Sequence, residues 1–196
     1  MWMTFALQTP GMDGEPAVSL QRASDLDAQR FSELFRAEFP YVSRTLRRLG
    51  VRAGDLDDKA HDVFVAVYQH RSEYDPGRPV RPWLFGFAFR MASDYGRSAW
   101  RRRAVYDDTA EPAAVVPDVA QRLDDERNWD VVLAALDTLD LDRRAVFVLS
   151  DIDAVASAEI AATLSIPLGT VYSRLRLARA DFTAAVTRLR LQRGER

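Results

Sequence analysis

Two helical patterns held apart by three residues constrain this chain more than anything else in it. Ile160, Ala161 and Leu164 fall at helical spacing, Ser165-Ile166-Pro167 interrupts them, and Val171, Leu175, Ala178 and Phe182 then recur as a new stripe. The residue before a proline is pushed out of the α region, so the first helix must stop ahead of Ile166. Gly169 allows a tight entry into the second helix, and Thr170 is the expected N-cap. The product is a helix-turn-helix whose second member buries one face. Its other face carries Tyr172, Ser173, Arg176 and Arg179, hydrogen-bonding and cationic groups that suit base edges and phosphates. Periodicity alone leaves a second reading open, because a charged helix face in an all-α protein is often simply solvated.

A net charge of −2 looks wrong for a nucleic-acid binder, but the charges are segregated along the chain. Arg81 to Arg103 holds six arginines against Asp94 alone, and Thr170 to Arg196 holds seven against Asp181 and Glu195. Between them, Ala104 to Asp130 has eight acids and two arginines. Two cationic surfaces joined by an acidic connector follow from that order. There is no cysteine, and His61 and His70 are the only histidines, so thiolate metal sites, disulfides and histidine triads are not expected. With no phosphate-cradling glycine loop or activated nucleophile either, an enzyme with an appended DNA-binding domain has nothing to support it. No cofactor and no metal are predicted. The N-terminus lacks a basic leader and no apolar run approaches the ~18 residues of a membrane span, which predicts a cytoplasmic protein with no membrane insertion.

Taken in order, residues 1–25 show Pro10, Gly11, Gly14 and Pro16 without a sustained period and read as a loosely attached or disordered tail. Phe31, Leu34 and Phe35 begin a helix that Pro40 is expected to end, opening another through Tyr41, Val42, Leu46 and Leu49 to a stop at Gly50. The next helix, Asp55 to His70, buries Ala60, Val63, Phe64 and Val67. Asp57, Asp58, His61, Asp62 and Gln69 lie outside, together with the apolar Val65 and Ala66, a pattern that a solvated face would also give. Glu73 to Pro82 reads as a loop with an Asp75-Pro76-Gly77 turn. From Trp83 a helix with Leu84, Phe87, Ala88, Met91 and Tyr95 as its core leaves Phe85, Phe89 and Trp100 over, beside Arg90, Arg97 and Arg101 to Arg103. Aromatics among arginines suit single-stranded nucleic acid, although such a stripe can equally be core. After a linker over 104–128, Trp129, Val132, Leu133, Leu136 and Leu139 resume the helical pattern.

Three of these blocks resemble one family. Ile166-Pro167-Leu168-Gly169-Thr170-Val171-Tyr172-Ser173-Arg174-Leu175 is similar to the promoter-reading helix of bacterial RNA polymerase sigma factors of the extracytoplasmic-function type, which commonly write it Ile-Pro-Xaa-Gly-Thr-Val-Xaa-Ser-Arg-Leu. Trp83-Leu84-Phe85-Gly86-Phe87-Ala88-Phe89-Arg90-Met91-Ala92-Ser93-Asp94-Tyr95 resembles their minus-ten segment, with Phe89 and Arg90 where arginine and asparagine are usual. Asp55-Leu56-Asp57-Asp58-Lys59-Ala60-His61-Asp62-Val63-Phe64 resembles the helix that docks on the polymerase clamp, with His61 for the usual glutamine.

The resemblance implies an all-α chain of two small helical domains joined by a flexible acidic linker. Residues 26–103 would bind core polymerase and the minus-ten element, and residues 129–196 would read the minus-thirty-five element through the helix-turn-helix. It assigns Thr170, Tyr172, Ser173, Arg174, Arg176 and Arg179 to the upstream element. Trp83, Arg90, Asp94, Arg97, Trp100, Arg101, Arg102 and Arg103 go to the minus-ten element and melting, and Asp55, Asp57, Asp58, His61, Asp62 and Val65 to core polymerase. Promoter DNA, core RNA polymerase and an anti-sigma factor are the implied partners, with one copy per holoenzyme. The rival reading is a helix-turn-helix regulator that acts without polymerase; the acidic, unpatterned linker speaks against a rigid dimer.

Overall fold

The computed structural model describes residues 15–105 and 122–193, and every regular element among them is helical. Seven α-helices follow one another: α1 Glu15–Arg48, α2 Leu56–Gln69, α3 Val80–Val105, α4 Arg122–Asp137, α5 Leu141–Phe147, α6 Ser157–Leu164 and α7 Leu168–Gln192. A π turn, Val148–Ile152, extends α5. The chain divides into two compact units, residues 1–37 and residues 38–196. Of the first, the described part is the leading stretch of α1, so residues 15–25, expected as loose tail, are helical. Residues 1–14 of that tail and residues 106–121 of the expected linker lie outside the described residues. The linker's two flanks belong to the ends of α3 and α4.

Pro40 does not break the chain as predicted; it sits inside α1. An interior proline forfeits one ladder bond and costs about 3 kcal/mol. The stripe beyond it, Tyr41, Val42, Leu46 and Leu49, is at most 5% exposed, and each such apolar side chain returns about 1.5–3 kcal/mol on burial. Burial therefore outweighs the lost bond. The helix then stops where expected. Gly50 takes φ +94°, Val51 N–H donates to the Leu46 carbonyl at 3.0 Å and Gly50 N–H to that of Arg47 at 3.1 Å, a paired closure that needs a left-handed residue.

Helix α2 packs on α3 through Ala60, Val63, Phe64 and Val67, all buried, as the sequence pattern requires. Helix α3 starts at Val80 rather than Trp83, because Pro82 is tolerated in a first turn. Phe85, left over in the pattern, is fully buried beside Leu84 and Ala88, so the core face of α3 is wider than one stripe. Leu136 of α4 and Leu139 just after it are buried as expected, but toward the head of the helix the buried positions are Val131 and Ala135, while Val132 and Leu133 are only half-buried. Trp129 stays 42% exposed under the Arg48 guanidinium, 5.4 Å from its ring centroid.

Asp140 caps α5, accepting from Arg143 N–H at 2.9 Å. Helices α4 and α5 pack on α7, with Phe147 and Phe182 at 4.6 Å between ring centroids. At the head of α6 the cap position is Ala156, which has no side-chain acceptor, and Ser157 is already helical. Ser165 in left-handed conformation (φ +53°) ends α6, with Ile166 N–H bonded to the Ala161 carbonyl at 3.0 Å. Helix α7 begins earlier than the Thr170 cap predicted. Pro167, extended at φ −59° and ψ 144°, holds the cap position, so Leu168 and Gly169 are already helical and Thr170 lies inside the first turn.

Candidate nucleic-acid interface

Helices α6 and α7 form the expected helix-turn-helix. Val171, Leu175 and Ala178 are buried toward α5 and α6, which leaves Tyr172 (57% exposed), Ser173 and Arg176 on the open side of α7. Ser173 Oγ donates to the Thr170 carbonyl at 3.0 Å, tying its hydroxyl to the helix while a lone pair stays open. Arg176 has no ion-pair partner among the described residues, so its guanidinium is available to a ligand. Arg174 and Arg179 differ. Arg174 Nη2 lies 2.6 Å from Asp142, and Arg179 grips Asp151 through Nε and Nη2 at 2.9 and 2.7 Å. The Arg179 bond holds the Asp151 carboxyl below the usual carboxylate range. Nothing in local sequence pairs residues 28 or 32 apart, so sequence reasoning missed both partners. The fork shapes of guanidinium and carboxylate account for the pairing once the helices meet.

The second group centres on the loop before α3. Asp75 Oδ1 accepts from Gly77 N–H at 2.9 Å, and Tyr74 O–H donates to the Arg78 carbonyl at 2.8 Å, so the loop has a fixed shape. Trp83 is half-buried in an aromatic row, 4.9 Å from Tyr74 and 5.1 Å edge-on to Phe87. Arg90 lies over the Phe87 ring at 4.6 Å, which keeps its head near the same opening. Arg97 and Asp94 pair with each other, one turn apart on the exposed side of α3. Trp100 and Arg101 to Arg103 belong to the last part of α3, and their side chains lie outside the described ones. The cleft at this opening is about 270 Å³. Tyr74, Arg78 and Trp83 stand on one wall, and Glu159, Ala162 and Thr163 of α6 form the other.

On α2, Asp57, Asp58, His61, Asp62 and Val65 share the exposed face. His61 Nδ1 sits 2.7 Å from the Asp57 carbonyl with its ring edge-on to Phe39 at 5.1 Å, and Lys59 pairs with Asp62 at 2.6 Å. Asp55 stands apart from this face: its Oδ2 accepts from Tyr95 O–H at 2.5 Å and joins α2 to α3. The residue sequence reasoning missed here is Tyr68, 43% exposed one turn beyond Val65 (57% exposed). Its position three residues after Val65 was the available signal. An acidic face with two apolar side chains at its end repels phosphate and suits a protein partner. No helix among the described residues is long and apolar enough to cross a membrane.

Known proteins match this arrangement along its length. Residues 34–102 match the family Sigma-70 region 2, and residues 129–182 match Sigma-70, region 4. The chain is 32% identical to the ECF RNA polymerase sigma factor SigL of Mycobacterium tuberculosis, over 74% of this chain and 84% of that one. It is 30% identical to the ECF RNA polymerase sigma factor RpoE of Cereibacter sphaeroides, over 82% and 90%. Among solved structures, CnrH in complex with the cytosolic domain of CnrY superposes with a TM-score of 0.59 at 26% identity, covering 85% of this chain and 94% of that one. The open face of α7 and the α6 wall of the cleft thus lie in a region 4 and the Trp83 wall in a region 2, and the chain belongs to the ECF RNA polymerase sigma factors, which direct RNA polymerase to promoters.

Proposed function

We propose a division of labour among three surfaces, with residues 26–103 and 129–196 as the two working halves. The open face of α7 reads the minus-thirty-five element: Tyr172, Ser173 and Arg176 meet base edges, and Thr170, Arg174 and Arg179 hold the flanking backbone. The α2 face built on Asp57, Asp58, His61, Asp62 and Val65, to which Tyr68 is added, docks on core polymerase. Asp55 serves that docking by fixing α2 against α3. The Trp83 cleft, with Arg90, Asp94, Arg97, Trp100 and Arg101 to Arg103, takes the unpaired minus-ten strand. Duplex DNA hides base faces, so a protein that melts it must offer extruded bases somewhere to stack. The chain has no chemistry of its own and works in the cytoplasm. An anti-sigma protein holds it in check, a reading supported by the relative CnrH, solved with the cytosolic domain of CnrY.

The observation that carries this reading is the contrast between two exposed faces of one molecule: Arg176, without an ion-pair partner among the described residues, beside Tyr172 on α7, and five polar or apolar positions without an arginine on α2. Run-off transcription with core polymerase, with and without this chain, tests it. Transcripts should appear only with the chain. Arg176→Ala should cost about 1–3 kcal/mol on the cognate upstream element and relax preference at one position. An equal loss on every sequence would make Arg176 a backbone contact.

A further inference from the structure

The strand-binding cleft and the helix-turn-helix are not independent in this fold, because α6 is one wall of the cleft. The Thr163 carbonyl comes within 3.7 Å of where a Cβ on Gly86 would stand, so the α6 backbone lies directly against α3. A nucleic-acid strand entering between Trp83 and Arg78 would meet Glu159, Ala162 and Thr163, with a carboxylate where phosphates would pass. What keeps α6 there is found in the turn that precedes it. Asp153, which follows the π turn, accepts from Tyr41 O–H at 2.7 Å through one oxygen and from Arg48 Nη1 at 3.2 Å through the other. Arg48 and Asp153 side chains are only 11% and 12% exposed, so salt screens this pair weakly.

The backbone at this corner is bent for the purpose. A π turn spans Val148–Ile152, and Ala154, next to Asp153, is held at φ +54°, a conformation that disfavours any side chain. Together they set the Asp153 carboxylate against α1. The latch also carries its own weakness, since Arg48 Nε is buried without a hydrogen-bond partner. Opening would return that donor to water.

We propose that Tyr41, Arg48 and Asp153 form an intramolecular latch that holds the chain closed with α6 over the minus-ten cleft, so that strand binding requires the latch to open. The masking half of this inference rests on reading the Trp83 cleft as the strand-binding site; the latch half does not. Apparent affinity for a strand is then the affinity of the open form multiplied by the fraction of molecules that are open.

The absence of native cysteine makes the test specific. Arg78→Cys with Ala162→Cys places two exposed thiols on opposite walls of the cleft. A short bis-maleimide with a disulfide in its spacer should bridge them within one molecule of the full chain, without DNA. Asp153→Asn, and separately Arg48→Met, should slow bridging severalfold while circular dichroism shows unchanged helix content. The bridged chain should lose binding to a single-stranded minus-ten oligonucleotide, and cutting the spacer should restore it. In the chain without added cysteines, Asp153→Asn should tighten that binding by about three- to tenfold. Failure of the folded pair to bridge, or bridging at the same rate in both latch variants, overturns the latch. A bridged chain that still binds the strand as well as the cut one overturns the masking. If no form binds the strand while bridging still depends on Asp153, the reading of the cleft fails and the latch stands.

Discussion

Tyr41 shows how one side chain can report on a contact between distant parts of a chain. Burial, then the Asp153 carboxylate, holds its phenol protonated well above the ordinary value of 10.0. The folded state therefore keeps a proton that the unfolded chain releases above pH 10. Stability from this group is complete below that pH and falls as pH rises past it. One proton corresponds to a slope of about 1.4 kcal/mol per pH unit. Urea midpoints taken at about pH 8 and about pH 11 should fall further for the parent chain than for Tyr41→Phe, which has no phenol to ionise. Equal falls would mean that the tyrosine is not held by Asp153 in solution. Nothing in the sequence marked Tyr41 as more than a core aromatic at helical spacing. Its partner lies 112 residues away, and periodicity carries no information at that range.

At the level of elements, the α2 face makes the sharpest demand. Its acids are exposed and its inner stripe is complete, so Asp58→Arg with Asp62→Arg should leave the helix intact while reversing the charge a partner meets. Co-purification with core polymerase should be lost with helix content unchanged; normal co-purification would assign docking to another surface. The helices themselves were largely legible from sequence, and the reasons are local. The buried positions of α2 and the helix-turn-helix stripe Val171, Leu175, Ala178 were readable because each face has one period and one environment. The misread points have local causes too. Pro40 signals a break, yet the buried stripe beyond it outweighs one lost bond. Thr170 is a better capping residue than Pro167, but the proline ring already holds φ in the range the cap position takes here. At the head of α4 the expected stripe fails because Trp129 packs against Arg48 and not into the core, a choice set by another helix, while Leu136 and Leu139 were read correctly.

For the whole molecule, the proposed division of labour has the surfaces act in sequence: docking, duplex recognition, then melting. On that proposal the loop between Asp75 and Val80 serves the last step, so shortening it should spare core binding and closed-complex formation. Transcription from duplex promoters should fall, and a template already open across the start site should recover it. Permanganate footprints showing unpaired thymines at the normal rate would remove the loop from melting. The candidate surfaces were legible as residue types in the right order, because charge segregation and motif spacing are linear properties. That Arg174 and Arg179 meet Asp142 and Asp151, or that α6 walls the cleft, appears only once the helices are folded together.

The corner at Gly50 limits how freely this protein can be recombined. A Cβ there would stand 2.6 Å from Arg144 Nη1, and that guanidinium is itself committed to Asp137 at 2.9 Å and the Leu139 carbonyl at 3.0 Å. A glycine in one half is thus matched to an arginine in the other. Hybrids that graft a foreign region 4 onto this region 2 inherit a compatibility rule: the donor must bring a residue at position 144 that tolerates what the recipient has at position 50. Modular as the two regions are in their tasks, the seam between them is keyed, and parts exchanged without the key will join in sequence and not in space.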